Sequence, residues 1–523
     1  MKKKTLKLAK YVLITILILF ILLLAGVALR LLYSPKLQPW HTFAPKELSI
    51  AEIDKATVQE YIEHENKIFD DIYREVVQKT PENQKHSLNR YFEKSLIYPP
   101  SFKENWNKSY TMVPKNPKGA VVLLHGLTDS PYSLRHIAKL YYQKDFVVIG
   151  LRAPGHGSVP AALAKSIWQE WMAATRLAVR EAKKLSPEGP LHMVGFSKGG
   201  ALAIKYALDA LEDKSLKRPD KLILISPMIG IMRLSKLVEL IAIPAIIPGF
   251  ERAAWLSIIP EFNPFKFNSF PVNGLKQARL LITDMNQQIA RLHKNGKIQE
   301  LPPITSFQSI VDYTVSTPAI INDLYSYLPD NGSELVLFDI NRYTAFMPLV
   351  RPVFINMMPN MLPDLPQNYK ISIIGNSAPG MPNTVESSVP SGGTNFTTRD
   401  LGLKYPQEVF SLSHVSLPFP ENDSLYGSSP DPETKNEFGL SLGLVSNAQG
   451  ERGVLAINTN LFFRISSNPL FPYLEKRIDN IIDEAPALAK AADKKEKIGT
   501  KTKIKEEEYE NIMKEADYDE EPF

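Results

Sequence analysis

The sequence predicts an α/β architecture, a mostly parallel central sheet flanked by helices, on three observations. Short aliphatic and β-branched runs at residues 120–124, 146–151 and 221–226 alternate with longer helical stretches, as expected for strands buried on both faces and joined by helical crossovers. One such run, 191–194, passes through Gly195-Phe196-Ser197-Lys198-Gly199 straight into an Ala- and Leu-rich helical stretch at 201–211. Another, 120–124, stops abruptly at His125-Gly126-Leu127-Thr128.

Taken in chain order, the first element is apolar. Lys2, Lys3, Lys4, Lys7 and Lys10 precede residues 11–29, an uncharged run of mostly Leu, Ile, Val, Ala and Phe. At 1.5 Å per residue such a helix measures about 30 Å, the thickness of a bilayer's hydrocarbon core. Residues 1–33 are therefore expected to form an N-terminal transmembrane anchor with its lysines on the cytoplasmic side. The catalytic part would then be periplasmic or otherwise extracytoplasmic, or lumenal in a eukaryote. Residues 25–33 offer no small-x-small cleavage site, so an uncleaved anchor is preferred to a signal peptide. The chain has no cysteine. That excludes disulfides, thiolate metal sites, a cysteine nucleophile and lipoprotein processing.

Residues 34–104 read as a helical segment. Val58, Tyr61, Ile62, Ile68, Phe69, Ile72 and Val76 recur at helical intervals, which predicts an amphipathic helix packing on the core or serving as a stalk. Residues 110–113 begin the sheet, and the strand at 120–124 leads to a loop. Ser197 then stands at a strand-to-helix corner, where a hydroxyl is lifted clear of the sheet. Side chains at Gly195 or Gly199 would collide with the neighbouring strand and helix. The backbone N–H groups of Leu127 and Lys198, the latter next after the serine, are the candidate donors to an oxyanion. In Arg152-Ala153-Pro154-Gly155-His156-Gly157, His156 is read as holding the loop by hydrogen bonds.

Residues 227–302 interrupt the sheet pattern with an apolar portion at 237–247 and an aromatic one at Phe262, Phe265, Phe267 and Phe270, and are expected to form a cap. Of the nine histidines, His293 and His414 alone follow Ser197. His293 belongs to a helical segment of the cap, whereas His414 lies in a loop-like stretch. In this arrangement the chain order is Ser, acid, His, which makes His414 the candidate general base. Asp312, at the end of the strand starting at Pro303, is the preferred acid. Asp339, at the end of 334–339, is its rival on the next strand. A second insertion at 340–405, rich in Pro, Asn, Ser and Gly, separates Asp312 from His414. The chain closes with a helix at 470–482 and a charged tail at 486–523, expected to be solvated.

Three motifs together resemble the α/β-hydrolase superfamily: residues 125–133, 152–157 and 195–200. Within it the chain is most similar to the lysophospholipase, monoacylglycerol lipase and serine aminopeptidase-like branch. The resemblance spans residues 105–485 and implies an α/β-hydrolase fold. It also implies a serine hydrolase cleaving carboxylic esters through an acyl-enzyme, with no metal or organic cofactor. The relatives usually place the histidine a few tens of residues after the acid, so the spacing here is a departure. Aminopeptidase activity would require cap carboxylates to hold a free amine. Glu239, Glu251, Glu261 and Asp284 show no recognisable clamp in the sequence. Acyl transfer through the same triad competes with hydrolysis, and a silent hydrolase-shaped scaffold that binds partners competes with catalysis altogether. The net charge of +5 is small for 523 residues, and no basic stripe with interleaved aromatics suggests nucleic acid. The expected partner is a small-molecule or lipid ester, with membrane contact through the N-terminal helix.

Overall fold

The structure, a computed structural model, describes residues 33–230, 248–444, 448–457 and 464–485, with scattered positions before 33 and at 245. The strands of its central sheet are β1 (Tyr110–Met112), β2 (Gly119–Leu124), β3 (Phe146–Gly150), β4 (Leu191–Phe196), β5 (Lys221–Ile225), β8 (Ile304–Ser309), β9 (Glu334–Phe338), β10 (Lys370–Asn376), β11 (Asn383–Val389) and β12 (Thr397–Lys404). These ten lie side by side in the order β1-β3-β2-β4-β5-β8-β9-β10-β11-β12. Strands β6 (Trp255–Ser257) and β7 (Phe270–Pro271) form a separate two-stranded ribbon. From β3 through β10 every pairing is parallel, whereas β1, β11 and β12 are antiparallel.

Both faces of the sheet are covered, as a parallel sheet requires. Ala120, Val122 and Leu124 of β2 face one apolar layer, and Val121 and Leu123 face the other. Six helices matter here: α1 (Ile50–Lys55), α2 (Val58–Ile72), α3 (Arg135–Gln143), α4 (Trp168–Leu185), α5 (Lys198–Glu212) and α6 (Val272–Lys294). Helices α4, α5 and α6 supply the first layer through Trp171, Leu177, Leu202, Leu208, Leu281 and Met285. Helix α3 and the helix over 471–485 supply the second, through Ile137, Tyr141, Leu474 and Ile478.

The segment before the sheet is bound tightly to it. Ser49 and Thr57 each cap a helix, with Glu52 and Glu60 closing the capping boxes, so the amphipathic stretch divides into α1 and α2. Asp54 of α1 receives both Nε (2.8 Å) and Nη2 (2.7 Å) of Arg176 on α4. Glu65 of α2, fully buried, accepts Nε of buried Arg152 at 2.7 Å and the N–H of Ser109 at 2.9 Å. Glu47 takes the other end of the same guanidinium at 2.8 and 2.9 Å.

Among the described residues no helix is long and apolar enough to cross a membrane. The transmembrane anchor expected over residues 1–33 is corrected accordingly, together with the single-pass, extracytoplasmic placement and the membrane contact that rested on it. Most of the apolar run at 11–29 lies outside the described residues, as do most of 237–247 and the whole tail from 486.

Two segments differ from the expectation in how they are used. Within 227–302, α6 packs along α5 and α4 and contributes to the main core. Within 340–405, β10, β11 and β12 extend the central sheet by three strands beyond β9. The extension is closed at its neck. The N–H of buried Asn341 donates to the Phe410 carbonyl at 3.0 Å, and its Nδ2 donates to the Pro406 and Val409 carbonyls at 2.7 and 2.6 Å. The chain therefore leaves β9 and returns beside the same point before it reaches His414.

Candidate active site

Strand β4 ends at Phe196, and α5 begins at Lys198. The residue between them turns the chain: Ser197 has φ 53° and ψ −116°, a strained conformation for a non-glycine residue. Its N–H donates to the Ile225 carbonyl at 2.9 Å, and its own carbonyl accepts Met228 N–H at 3.0 Å, which holds the strained corner in place. A Cβ on Gly199 would lie 1.8 Å from the Leu124 carbonyl oxygen, and one on Gly195 would lie 2.4 Å from the Gly199 carbonyl oxygen. The crossing of β2, β4 and α5 is that close.

Strand order reverses around β2, and in such sheets ligands sit beyond the carboxyl ends of the strands at the reversal. Ser197, Asp312 and His414 meet there. His414 Nε2 lies 3.0 Å from Ser197 Oγ, and its Nδ1 lies 2.7 Å from Asp312 Oδ2. With Nδ1–H donating to the carboxylate, Nε2 is left as the acceptor for the serine hydroxyl. The other carboxylate oxygen, Oδ1, accepts the N–H groups of Thr314 (2.7 Å) and Val315 (2.9 Å). Gln308 Nε2 adds a contact to Oδ2 at 3.2 Å. Burial alone pushes the Asp312 carboxyl up, but the His414 ring and these N–H groups outweigh it and hold it below the ordinary carboxylate range.

The rival carboxylate, Asp339, stands elsewhere. It is paired with Arg342 at 3.2 Å, and burial raises its pKa. His293 lies on α6 with its ring against Tyr327.

Of the two expected oxyanion donors, Leu127 lies in the loop after β2 and Lys198 directly follows the serine. Leu127 belongs to a loop fixed by Asp129, whose Oδ2 accepts Gly126 N–H at 3.3 Å, and by the Thr128 carbonyl, which accepts Phe267 N–H at 2.7 Å. Lys198 is the first residue of α5, where a backbone N–H has no intrahelical acceptor. Its side chain runs away from the serine into the core. There Nζ donates to His156 Nε2 at 3.1 Å and sits 4.8 Å from the Trp171 ring centre. His156 Nδ1–H in turn donates to the Pro154 carbonyl at 2.9 Å, and His125 Nε2 accepts Ala153 N–H at 3.0 Å. The three motifs legible in the sequence are thus fastened to one another behind the serine. Burial lowers the pKa of Lys198, His125 and His156 well below their ordinary values.

Several residues of the site have no local sequence signature. Glu451 accepts the backbone N–H of His414 at 2.9 Å and is itself held by Arg464 at 2.8 Å. Gln308, near the end of β8, sits four residues before the acid. Leu127, Met228, Ala278, Ile282 and Val315 form an apolar cluster, with Ala278 and Ile282 supplied by α6. Of the cap carboxylates weighed as an amine clamp, Glu261 is buried and accepts Asn268 and Ser269 N–H, Glu251 accepts Gly249 N–H, and Asp284 pairs with Lys205 at 3.1 Å. Glu239 lies outside the described residues.

A family model described as "Serine aminopeptidase, S33" matches residues 115–295. The match includes the Leu127 loop and Ser197 and ends before Asp312. A thermostable monoacylglycerol lipase of Bacillus sp. (strain H-257) is 22% identical over 242 residues, 45% of this chain and 86% of the relative. Among solved structures, the monoglyceride lipase of Saccharomyces cerevisiae is 16% identical, with a TM-score of 0.33, over 44% of this chain and 81% of its own. The monoacylglycerol lipase of Paleococcus ferrophilus is also 16% identical with a TM-score of 0.33, over 44% of this chain and 86% of its own. The parallel sheet and its serine corner are those of an α/β-hydrolase fold, and the chain is similar to the serine aminopeptidase S33 family over residues 115–295 and to monoacylglycerol lipases.

Proposed function

We propose that this serine carboxylic ester hydrolase cleaves acyl esters (acyl glycerols, lysophospholipids or similar) with Ser197 as nucleophile, His414 as general base and Asp312 as the orienting acid. The observation that carries this reading is the continuous hydrogen-bonded line from Ser197 Oγ through the imidazole to Asp312, at 3.0 and 2.7 Å.

In the first half-reaction, Ser197 Oγ bonds to the acyl carbon while its proton passes to His414 Nε2. Asp312 stabilises the imidazolium that results. The carbonyl oxygen gathers negative charge and is met by the N–H groups of Leu127 and Lys198. His414 then returns the proton to the departing alkoxide, leaving an acyl-enzyme and a free alcohol. In the second half-reaction, water attacks the acyl carbon, giving its proton to His414, and the carboxylic acid leaves as Ser197 recovers its hydrogen. The cluster of Leu127, Met228, Ala278, Ile282 and Val315 gives an acyl chain an apolar wall to lie against. An ester fits better than a peptide with a free amino terminus, because the described cap carboxylates are each engaged elsewhere.

Fluorophosphonate labelling of the wild type and of Ser197→Ala tests the reading. The wild type is expected to label and the variant to lose the label entirely. Equal labelling of both would refute Ser197 as nucleophile.

A further inference from the structure

We infer that the ester's alcohol portion carries an anionic group, a phosphate or a carboxylate, received by Lys266 and Arg452 in a cavity beside the reaction centre. The inference rests on the ester-hydrolase reading above and adds the chemical class of the leaving group.

The cavity measures about 420 Å³ and borders the oxyanion loop through Thr128 and the histidine loop through Val415. Three cationic side chains line it: Lys266, Arg452 and Arg464. Arg464 is neutralised by Glu451, with contacts of 2.8 and 2.9 Å. Lys266 is different. Its Nζ sits among three aromatic faces, 4.9 Å from Tyr426, 5.1 Å from Phe419 and 5.8 Å from Phe196. Ring faces attract an ammonium but satisfy none of its three N–H donors as an oxygen would. Among the described residues no carboxylate lies within ion-pairing distance of that Nζ. Burial lowers its pKa, against the opposing pull of Asp129 and Asp423. Asp129 Oδ2 accepts Gly126 N–H at 3.3 Å, while its buried Oδ1 has no hydrogen-bond partner among the described residues; Asp423 is held by Arg135 and His136. The guanidinium of Arg452, exposed and without a carboxylate partner among the described residues, stands 5.8 Å from the Tyr313 ring centre.

A partly buried ammonium with unmet donors is costly unless something anionic completes it. Position assigns that anion to the leaving group. His414 donates its proton to the alkoxide, and Val415, next in the chain, is on the cavity wall. The apolar cluster around Leu127 contains α6 residues and no cavity cation.

The test compares 1-hexanoylglycerol, 1-hexanoylglycerol 3-phosphate and the hexanoyl ester of glyceric acid. Binding is measured on Ser197→Ala, and kcat/KM on the enzyme with Ser197 intact. One charge-assisted contact corresponds to roughly 10- to 100-fold. The phosphate or the carboxylate ester is expected to bind at least ~10-fold more tightly than the neutral one, and whichever is preferred identifies the source of the anion. Lys266→Met should collapse that ratio to near one. Arg452→Gln, at an exposed position that tolerates substitution, should reduce the ratio, and raising the salt concentration should reduce it too. Equal binding of neutral and anionic esters, or a ratio unchanged in both variants, overturns the inference. Failure of the hydrolase reading is distinguishable, since it would appear as absent fluorophosphonate labelling whatever the binding ratio.

Discussion

Replacing Asp312 by asparagine removes a charge while keeping the shape, and the structure dictates which way the amide must lie. Oδ1 accepts two backbone N–H groups, from Thr314 at 2.7 Å and Val315 at 2.9 Å. The asparagine carbonyl must stay there, because an NH₂ in that place would face two donors. The NH₂ is thereby forced into the Oδ2 position, 2.7 Å from His414 Nδ1 and 3.2 Å from Gln308 Nε2. Facing a donor, the imidazole stabilises the tautomer with its hydrogen on Nε2, which cannot accept the Ser197 proton. The wrong tautomer, together with loss of the charge that stabilises the imidazolium, corresponds to about 10⁴-fold in kcat, or ~5.4 kcal/mol of barrier. The assay is the steady-state hydrolysis of a p-nitrophenyl acyl ester by Asp312→Asn beside Asp339→Asn. Asp339 is held by Arg342 at the end of β9, so its variant should remain within about 3-fold of wild type. A loss of less than ~10-fold in Asp312→Asn would refute the assignment. So would a larger loss in Asp339→Asn.

Two further outcomes concern the scaffold. Glu65→Ala leaves Arg152 buried with half of its carboxylate partners, and removing one member of a buried pair costs about 3–5 kcal/mol; a urea midpoint equal to that of wild type would show that α2 is not part of the cooperative unit. Burial pushes His41 and His136 down to about 4 and His192 down to about 3, from an ordinary value of 6.5. These groups are neutral in the native state and take up a proton on unfolding once the pH drops below 6.5. Stability is therefore complete above that value and declines as pH falls toward 4, by about 1.4 kcal/mol per pH unit for each histidine. Urea unfolding at pH 7 and pH 5 measures this, and an unchanged midpoint would contradict it.

What could be read from the sequence was what local geometry dictates. Glycines two residues either side of Ser197 mark a corner where β2, β4 and α5 nearly touch, and the aliphatic runs mark strands covered on both faces. The three-strand extension was not readable as sheet. Segments such as Asn383–Val389 and Thr397–Lys404 are rich in Ser, Thr, Asn and charge, and they become strands only through cross-strand neighbours. The closeness of His414 to Asp312 across 102 residues depends on Asn341 meeting Phe410, a contact without any periodic signature. Lys266 and Arg452 lie in unrelated loops, and only tertiary folding brings them to one cavity. The apolar run at 11–29 carries a hydropathy signal that no described helix supports as a membrane crossing.

The added strands also decide where the sheet stops. Without them, fully buried β9 would be the last rung, an apolar ribbon of unpaired amides close to the acid and the histidine. With them, the outermost strand is β12, whose Arg399, Asp400 and Lys404 stand at solvent-facing positions. Charges on a border strand discourage another polypeptide from stacking onto it. The excursion after β9 thus ends the sheet on a charged, solvent-facing border.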